Sequence, residues 1–184
     1  MGLLLSPPPS PWLLRWPQAM RAGASALDVA CGSGRHLRHL AARGMAVTGI
    51  DRDTEATAAL MGIAEIIHAD IEGAPWPLGG RQFDLVLVSN YLWRSLLPTI
   101  TAAVAPGGWL IYETFALGQH TIGRPARPDF LLAPGELLTA CADLRVVAFE
   151  DGFADGRFVQ RIAAVRAEPD TLYPRYALTG LAAE

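Results

Sequence analysis

Apolar residues recur in runs of strand length, separated by segments in which polar residues interrupt them at helical spacing. Four such runs share this character: 26–30, 46–50, 64–69 and 83–88. Residues 36–43 and 54–61 have the helical pattern and follow the first two runs. Nearly continuous apolar strands are typical of parallel sheets that are covered on both faces. The pattern therefore predicts strands and helices that alternate along an open α/β sheet.

The alternation continues to Tyr112. Residues 94–104 have a helical pattern, Pro106-Gly107-Gly108 predicts a tight turn, and Trp109–Tyr112 predicts a fifth strand. Residues 116–133 show no period, which predicts a long loop, and loops of that length are usually functional or disordered.

The last part of the chain predicts a helix over 135–142 and two strands, 144–149 and 158–165. The connection between these strands, with Asp151-Gly152 and Asp155-Gly156, is too short for a parallel crossover. We therefore predict an α/β fold: a Rossmann-like seven-stranded, mostly parallel sheet with helices on both faces and an antiparallel C-terminal hairpin.

Composition narrows the class of protein. The chain has 184 residues, 51% hydrophobic and 18% charged, which fits one globular domain and excludes a disordered chain. Residues 95–112 carry no charge, but Pro98 and Pro106 interrupt them, so a spanning helix is not expected. Leu3-Leu4-Leu5 is too short for the apolar region of a signal peptide.

Charge and cysteine usage exclude further classes. All fifteen basic residues are Arg, so lysine Schiff bases and phosphate-loop lysines are absent. The net charge of −3 and the lack of a basic tail argue against a nucleic-acid partner. Cys31 and Cys141 have no CxxC spacing, which favours a reducing, cytoplasmic location. His68 and His120 have no metal-ligand spacing, and His36 and His39 are expected to be surface or satisfied side chains, so no metal site is predicted.

The strongest chemical signal is the turn between the first strand and the first helix. Gly32 and Gly34 form a Gly-x-Gly turn that lets a ligand approach the backbone at a helix N-terminus. The third glycine of the dinucleotide-binding fingerprint is missing, because Leu37 stands in its place. Asp28 lies inside the strand, just before the turn. These features argue against NAD.

With these residues, 26–165 resembles the class I S-adenosylmethionine-dependent methyltransferases. The resemblance implies S-adenosylmethionine as cofactor and assigns Asp28 and the glycines to its amino-acid end, Asp51 to the ribose hydroxyls and Asp70 to the adenine amino group. The implied cofactor-binding set is Asp28, Ala30, Gly32, Gly34, Asp51, Arg52, Asp70, Ile71 and Asn90. Ala30 replaces a glycine of many members, and we expect it to be tolerated because it lacks only the freedom of close approach.

More narrowly, the chain is similar to small bacterial methyltransferases of the tellurite-resistance type. The matching stretches are 10–12, 90–94, 112–115 and 123–130. Trp93 stands where these relatives tend to have His, so a proton-transfer role of that His does not carry over. We divide the chain into an N-terminal segment and helix covering the cofactor site (1–24), a methyltransferase domain (25–167) and a tail (168–184).

We assign candidate roles in methyl transfer to six residues outside the cofactor set. Tyr91, Glu113 and Arg94 are the candidate catalytic residues. Trp93, Arg124 and Arg127 are the candidate substrate residues, which would hold a small anionic or electron-rich acceptor. The alternatives are packing aromatics for Tyr91 and Trp93, and for Glu113 a structural ion pair with Arg94 or Arg124.

The acidic residues and the function of the protein have alternatives as well. Asp28 could cap neighbouring amides and Asp51 could cap the second helix, but three acids at successive strand ends favour the cofactor. We therefore predict a cytoplasmic methyltransferase acting on a small molecule, as a monomer or homodimer without membrane contact. The alternatives are an RNA or protein methyltransferase, a non-catalytic cofactor-binding protein and a nucleotide-dependent oxidoreductase. Ser89–Leu92 lacks the Pro-Pro-Tyr/Phe signature of base methylation, which argues against methylation of RNA bases.

Overall fold

The computed structural model describes residues 7–169 and 171–178. Its strands are β1 Ser25–Val29, β2 Ala46–Asp51, β3 Glu65–His68, β4 Phe83–Ser89, β5 Val104–Phe115, β6 Arg145–Ala154 and β7 Arg157–Val165. They form a sheet in the order β3-β2-β1-β4-β5-β7-β6. The first five strands are parallel, and β7 is antiparallel to both of its neighbours. The predicted fold class is confirmed.

Within these described ranges, five α-helices flank the sheet: α1 Pro11–Leu14, α2 Arg35–Ala42, α3 Thr54–Thr57, α4 Leu97–Ala102 and α5 Glu136–Ala140. Their ends follow local chemistry. The Ser10 side chain accepts from the Trp12 amide and so caps α1, with Pro11 in the first helical position. Gly44, which follows the end of α2, takes φ +78°, a left-handed conformation that glycine adopts at little cost.

Two hydrophobic layers hold the helices to the sheet. Alternate residues of each strand face opposite layers, so that Ala26 belongs to one layer and Leu27 to the other. The layer with Ala26 also contains Trp12 and Trp16, and the Trp12 indole donates to the Ile162 carbonyl at 3.2 Å. This bond fixes α1 against the carboxyl end of the sheet.

The structure corrects several predicted boundaries. The segment 94–104 is a 3₁₀ turn at Arg94–Leu96 followed by α4, and β5 begins already at Val104. The predicted turn at 106–108 is therefore an irregularity within β5, where Gly107 takes φ +74° and donates its amide to the Arg166 carbonyl at 2.8 Å. Strand pairing across β4 and β7 outweighs the local turn signal.

The loop and hairpin also differ from prediction. Residues 116–133 contain 3₁₀ turns at Gln119–Thr121 and Pro128–Phe130, and a parallel bridge joins Ala116 to Leu132. The hairpin turns at Asp155-Gly156 alone, where both residues have positive φ, as two-residue hairpin loops require.

Both chain ends extend past the described residues. Leu3-Leu4-Leu5 and residues 179–184 lie outside them, so only part of the predicted segment 1–24 and of the tail 168–184 is described. Within the tail, the ring of Tyr176 packs edge-on against Trp109 at 5.4 Å. No helix in the described part of the chain has the length and apolar character needed to cross a membrane.

Candidate functional site

A cavity of about 160 Å³ opens at the carboxyl ends of the first parallel strands. Its lining comes from the segments that follow β1, β2, β3 and β4: Ala30, Asp51, Arg52, Ala69, Asp70, Ile71, Glu72 and Tyr91. Open α/β sheets bind ligands in the crevice beyond the carboxyl ends of their strands. The structure thus brings together five predicted cofactor residues and Tyr91.

The loop after β1 uses left-handed backbone at three positions. Ala30, Gly32 and Gly34 have φ values of +56°, +51° and +75°. A Cβ at Gly34 would also collide with the Leu60 side chain, so glycine is required there on two grounds. The expectation that Ala30 lacks only freedom of close approach is wrong, because an L-residue pays a conformational cost for this φ.

Asp51 ties the loop to the end of β2. Its Oδ2 accepts from the Gly32 amide at 2.7 Å, and its Oδ1 accepts from the Asp53 amide at 2.9 Å. The cap of α3 is Asp53, whose Oδ1 accepts from the amides of Glu55 and Ala56 at 3.0 and 2.9 Å. The alternative that Asp51 caps the second helix is therefore wrong, and its carboxylate faces the cavity.

Asp70 and Tyr91 line the same cavity from neighbouring segments. Asp70 is exposed, and its Oδ1 accepts from the amides of Glu72 and Gly73 at 3.1 and 3.4 Å, which shapes the turn after β3. The Tyr91 hydroxyl is buried and has no hydrogen-bond partner among the described residues. Burial, followed by the carboxylates of Glu72 and Asp70, raises the pKa of Tyr91, so its phenol is a hydrogen-bond donor at neutral pH.

Asp28 lies in β1, just before the loop, and does not line this cavity. Its side chain is 1% exposed, and its Oδ2 has no hydrogen-bond partner within the described ranges. The nearest cation-forming atom is His36 Nδ1, 3.5 Å from Oδ2. His36 is itself buried, and its Nε2 accepts from the Ser10 amide at 3.3 Å, so it is a satisfied core histidine, as expected.

Asn90 lies immediately after β4, and Glu113 lies in the neighbouring strand β5. Asn90 has φ +55° and donates its amide to the Glu113 carbonyl at 3.0 Å. The Glu113 side chain, 7% exposed, pairs with Arg161 at 3.2 Å and accepts from Ser89 Oγ at 3.4 Å. Neither predicted partner, Arg94 nor Arg124, makes this ion pair, because β7 places Arg161 directly opposite Glu113.

Arg94 holds the loop 116–133 against α5. Its guanidinium donates to both carboxylate oxygens of Glu136 at 2.7 and 3.0 Å. It also donates to the carbonyls of Asp129 and Leu131, both at 2.8 Å. Both terminal nitrogens and Nε are engaged in these bonds, which is the geometry of a structural clamp.

A second cavity, of about 280 Å³, collects three of the residues predicted for catalysis and substrate. It is lined by Trp93, Arg94, Ser95, Arg127, Asp129 and Phe130. Arg127 pairs with Asp129 at 2.8 Å and lies over the Phe130 ring. Arg124 is exposed and does not line this cavity.

A comparison with known protein families matches residues 26–108, somewhat less than half of the chain, to a methyltransferase domain family. The matched residues include the whole lining of the first cavity. Among curated protein sequences, none matches the chain.

Solved structures share the fold over most of the chain. The TehB-like SAM-dependent methyltransferase from Corynebacterium glutamicum is 19% identical, with a TM-score of 0.59 over 78% of this chain and 80% of that one. TehB from Haemophilus influenzae is 18% identical, with a TM-score of 0.63 over 78% of this chain and 58% of that one. The chain therefore has the fold of these methyltransferases, as the resemblance predicted.

A third structure contains a bound ligand. Magnesium protoporphyrin IX methyltransferase from Synechocystis, with bound SAH, is 15% identical, with a TM-score of 0.64 over 85% of this chain and 79% of that one.

Sequence reasoning missed three residues around the candidate site, Arg35, Glu72 and Arg161, and also the contacts of His36. Glu72 lies two positions after Asp70, and its nearness could have been inferred. Arg161 is 48 positions from Glu113, and only the strand register brings the two together. No group of His, Cys, Asp and Glu side chains suited to a metal ion occurs in the part of the chain that the structure describes.

Proposed function

We propose that this chain is an S-adenosylmethionine-dependent methyltransferase with a small-molecule acceptor. The observation that carries the proposal is the cavity in which Asp51, Asp70 and the left-handed loop of Ala30 converge from three successive strand ends. The proposal includes the cytoplasmic location predicted from the cysteines, both of which are free and buried.

The residues present fit the cofactor at three side chains. Each Asp51 oxygen accepts one backbone amide, which leaves further lone pairs for the vicinal hydroxyls of a ribose. Asp28 Oδ2 is a buried acceptor without a donor, which suits an ammonium group. The Tyr91 hydroxyl is a buried donor beside Asp70, at the end assigned to the adenine.

The bound cofactor would supply an electrophilic methyl group, whose departure leaves a neutral thioether and needs no acid. The chain's task is then to align the acceptor and exclude water. Tyr91 keeps its proton at neutral pH and would act as a hydrogen-bond donor rather than a base. Glu113 is held by Arg161 and Ser89 next to the end of β4, where it could accept a proton from an alcohol or amine.

The acceptor is proposed to bind in the second cavity. Trp93 and Phe130 supply apolar ring surface and Arg127 supplies a cation, a combination suited to a small electron-rich or anionic molecule. Arg124 would act at its entrance. Transfer of tritiated methyl groups into the fraction of a cell extract below 3 kDa supports this proposal. Label that appears only in RNA or protein would contradict it.

Cofactor binding is tested by calorimetry and thermal shift with S-adenosylhomocysteine and NADH. A ligand at 100 times its Kd stabilises the folded state by about 2.7 kcal/mol, which raises the Tm by roughly 5–11 °C for a chain of this size. We expect this shift with S-adenosylhomocysteine and none with NADH. The opposite result would overturn the proposal.

Two neighbouring aspartates provide a matched pair. Asp51→Ala should abolish binding of S-adenosylhomocysteine, because it removes both acceptors that face the cavity. Asp53→Ala removes only the cap of α3, so it should lower stability by about 1 kcal/mol and leave the affinity unchanged. Equal affinities of the two variants would contradict the role of Asp51.

A further inference from the structure

Three buried polar groups form a line from the strand β1 to the N-terminal segment. Asp28, His36 and Ser10 are 1%, 3% and 2% exposed. His36 Nε2 accepts from the Ser10 amide at 3.3 Å, so in the neutral ring the proton is on Nδ1, which faces Asp28 Oδ2 at 3.5 Å. One imidazole therefore contacts the loop strand with one nitrogen and the N-terminal segment with the other.

The buried groups Asp28, His36 and Ser10 close one end of the proposed cofactor site. Pockets for drug-sized ligands span about 300–1,000 Å³, whereas the first cavity measures about 160 Å³ and does not include Asp28. A nucleoside joined to an amino acid is therefore only partly accommodated. The amino-acid end reaches Asp28 only if the buried groups around it rearrange.

A second contact ties the same segment to the same helix end. Arg35, the first residue of α2, donates to the Pro8 carbonyl at 3.4 Å and to Ser89 Oγ at 3.1 Å. Residues 8–10 thus contact the first turn of α2, immediately after the loop that includes Gly32 and Gly34. A movement of residues 8–10 would therefore change the contacts of two consecutive residues, Arg35 and His36.

We propose that His36 is a positioning residue with two separable contacts at the amino-acid end of the cofactor site, one to Asp28 and one to the N-terminal segment. Its Nδ1 orients the carboxylate that receives the ammonium group, and its Nε2 holds residues 8–10 in place. The inference rests on the proposed function, since it assumes that Asp28 meets the cofactor.

Two substitutions separate the two nitrogens. In His36→Asn the amide nitrogen stands near the position of Nδ1 and still faces Asp28, but the acceptor for the Ser10 amide is lost. In His36→Gln the terminal amide oxygen can replace Nε2, but the contact with Asp28 is lost. We expect His36→Gln to weaken binding of S-adenosylhomocysteine on the order of tenfold, because the Asp28 carboxylate is then no longer held in position for the ammonium group.

Hydrogen exchange of residues 8–14 is measured together with the affinity for S-adenosylhomocysteine. A purely structural role of His36 would not separate these two quantities between the variants. His36→Asn should retain the affinity within about threefold while its residues 8–14 exchange faster. His36→Gln should retain the protection of residues 8–14. Both variants are compared with the wild type by thermal unfolding without ligand, so that a loss of folding is seen directly.

Position 10 supplies an independent pair. Ser10 has φ −57°, which proline also adopts, so Ser10→Pro removes the amide donor without forcing the backbone. Ser10→Ala removes only the hydroxyl that caps α1 and keeps that amide. Faster exchange in Ser10→Pro than in Ser10→Ala supports the contact of His36 Nε2 with the Ser10 amide, and equal exchange contradicts it.

The outcomes distinguish this inference from the proposed function. If the wild type does not bind S-adenosylhomocysteine, the proposed function fails. If the wild type binds and both His36 variants match it in affinity and exchange, the role of His36 is overturned. If both variants lose affinity and protection together, His36 is a packing residue and the two separable contacts are also overturned.

Discussion

Arg94 provides the sharpest test of structural against catalytic roles. Its replacement by Ala would remove two bonds to the carbonyls of Asp129 and Leu131 and the two-pronged pair with Glu136. A net contribution of about 1 kcal/mol for each carbonyl bond and at most about 1 kcal/mol for a partly exposed ion pair predicts a loss of roughly 3 kcal/mol. For a chain of this length the Tm should fall by about 6–12 °C.

The assay is thermal unfolding together with calorimetric binding of S-adenosylhomocysteine. Arg94→Ala should retain the affinity of the wild type, because Arg94 does not line the first cavity. Arg94→Lys keeps the charge but not the planar fork, so it should recover less than half of the stability. Arg127→Ala is the matched control: its side chain is 72% exposed, and the change should stay within about 0.5 kcal/mol.

One result would refute this reasoning. If Arg94→Ala unfolds at the wild-type temperature but no longer transfers methyl groups to any acceptor found, its guanidinium acts on the substrate and not on the loop. The contacts with Glu136 would then be incidental, and the assignment of Arg94 as a catalytic residue would stand.

Three further predictions concern stability and are measured by chemical denaturation. Ala30→Gly should stabilise the fold by about 0.5–1 kcal/mol, because relief of the left-handed strain exceeds the added entropy of the unfolded chain; destabilisation would contradict the strain. Glu113→Ala and Arg161→Ala should each cost about 3 kcal/mol, and the double variant should cost less than their sum; simple additivity would exclude a coupled pair. The Ser25 amide, followed by its hydroxyl, lowers the pKa of Asp84 below its ordinary 3.8, so this carboxylate stabilises the fold above that value and the contribution is lost as pH falls through the folded pKa; Asp84→Asn should flatten the acid limb of stability, and an unchanged limb would refute the assignment.

The sheet could be predicted because its signals are local. Near-continuous apolar strands such as Phe83–Ser89 need no distant partner to be recognised, and the short connection at Asp155-Gly156 excludes a parallel crossover. The boundaries that failed were set by pairing: Val104 joins β5 because it lies beside Phe83 on β4, although Pro106-Gly107-Gly108 reads as a turn.

The convergence of acidic residues in the first cavity was predictable for a related reason. Asp51 and Asp70 follow strands whose ends share one edge of the sheet, so their convergence is a consequence of topology. Partner choice was not predictable. Glu113 pairs with Arg161, and Arg94 pairs with Glu136, 42 positions away, because register and loop path decide which of fifteen arginines comes near.

The contacts by which Arg94 holds the loop 116–133 have an evolutionary consequence. Two of its bonds go to the backbone carbonyls of Asp129 and Leu131, which every amino acid possesses. The side chains at these positions can therefore change by mutation without loss of the anchor. The loop sequence can therefore drift over evolutionary time, while the sheet and the first cavity stay under separate selection.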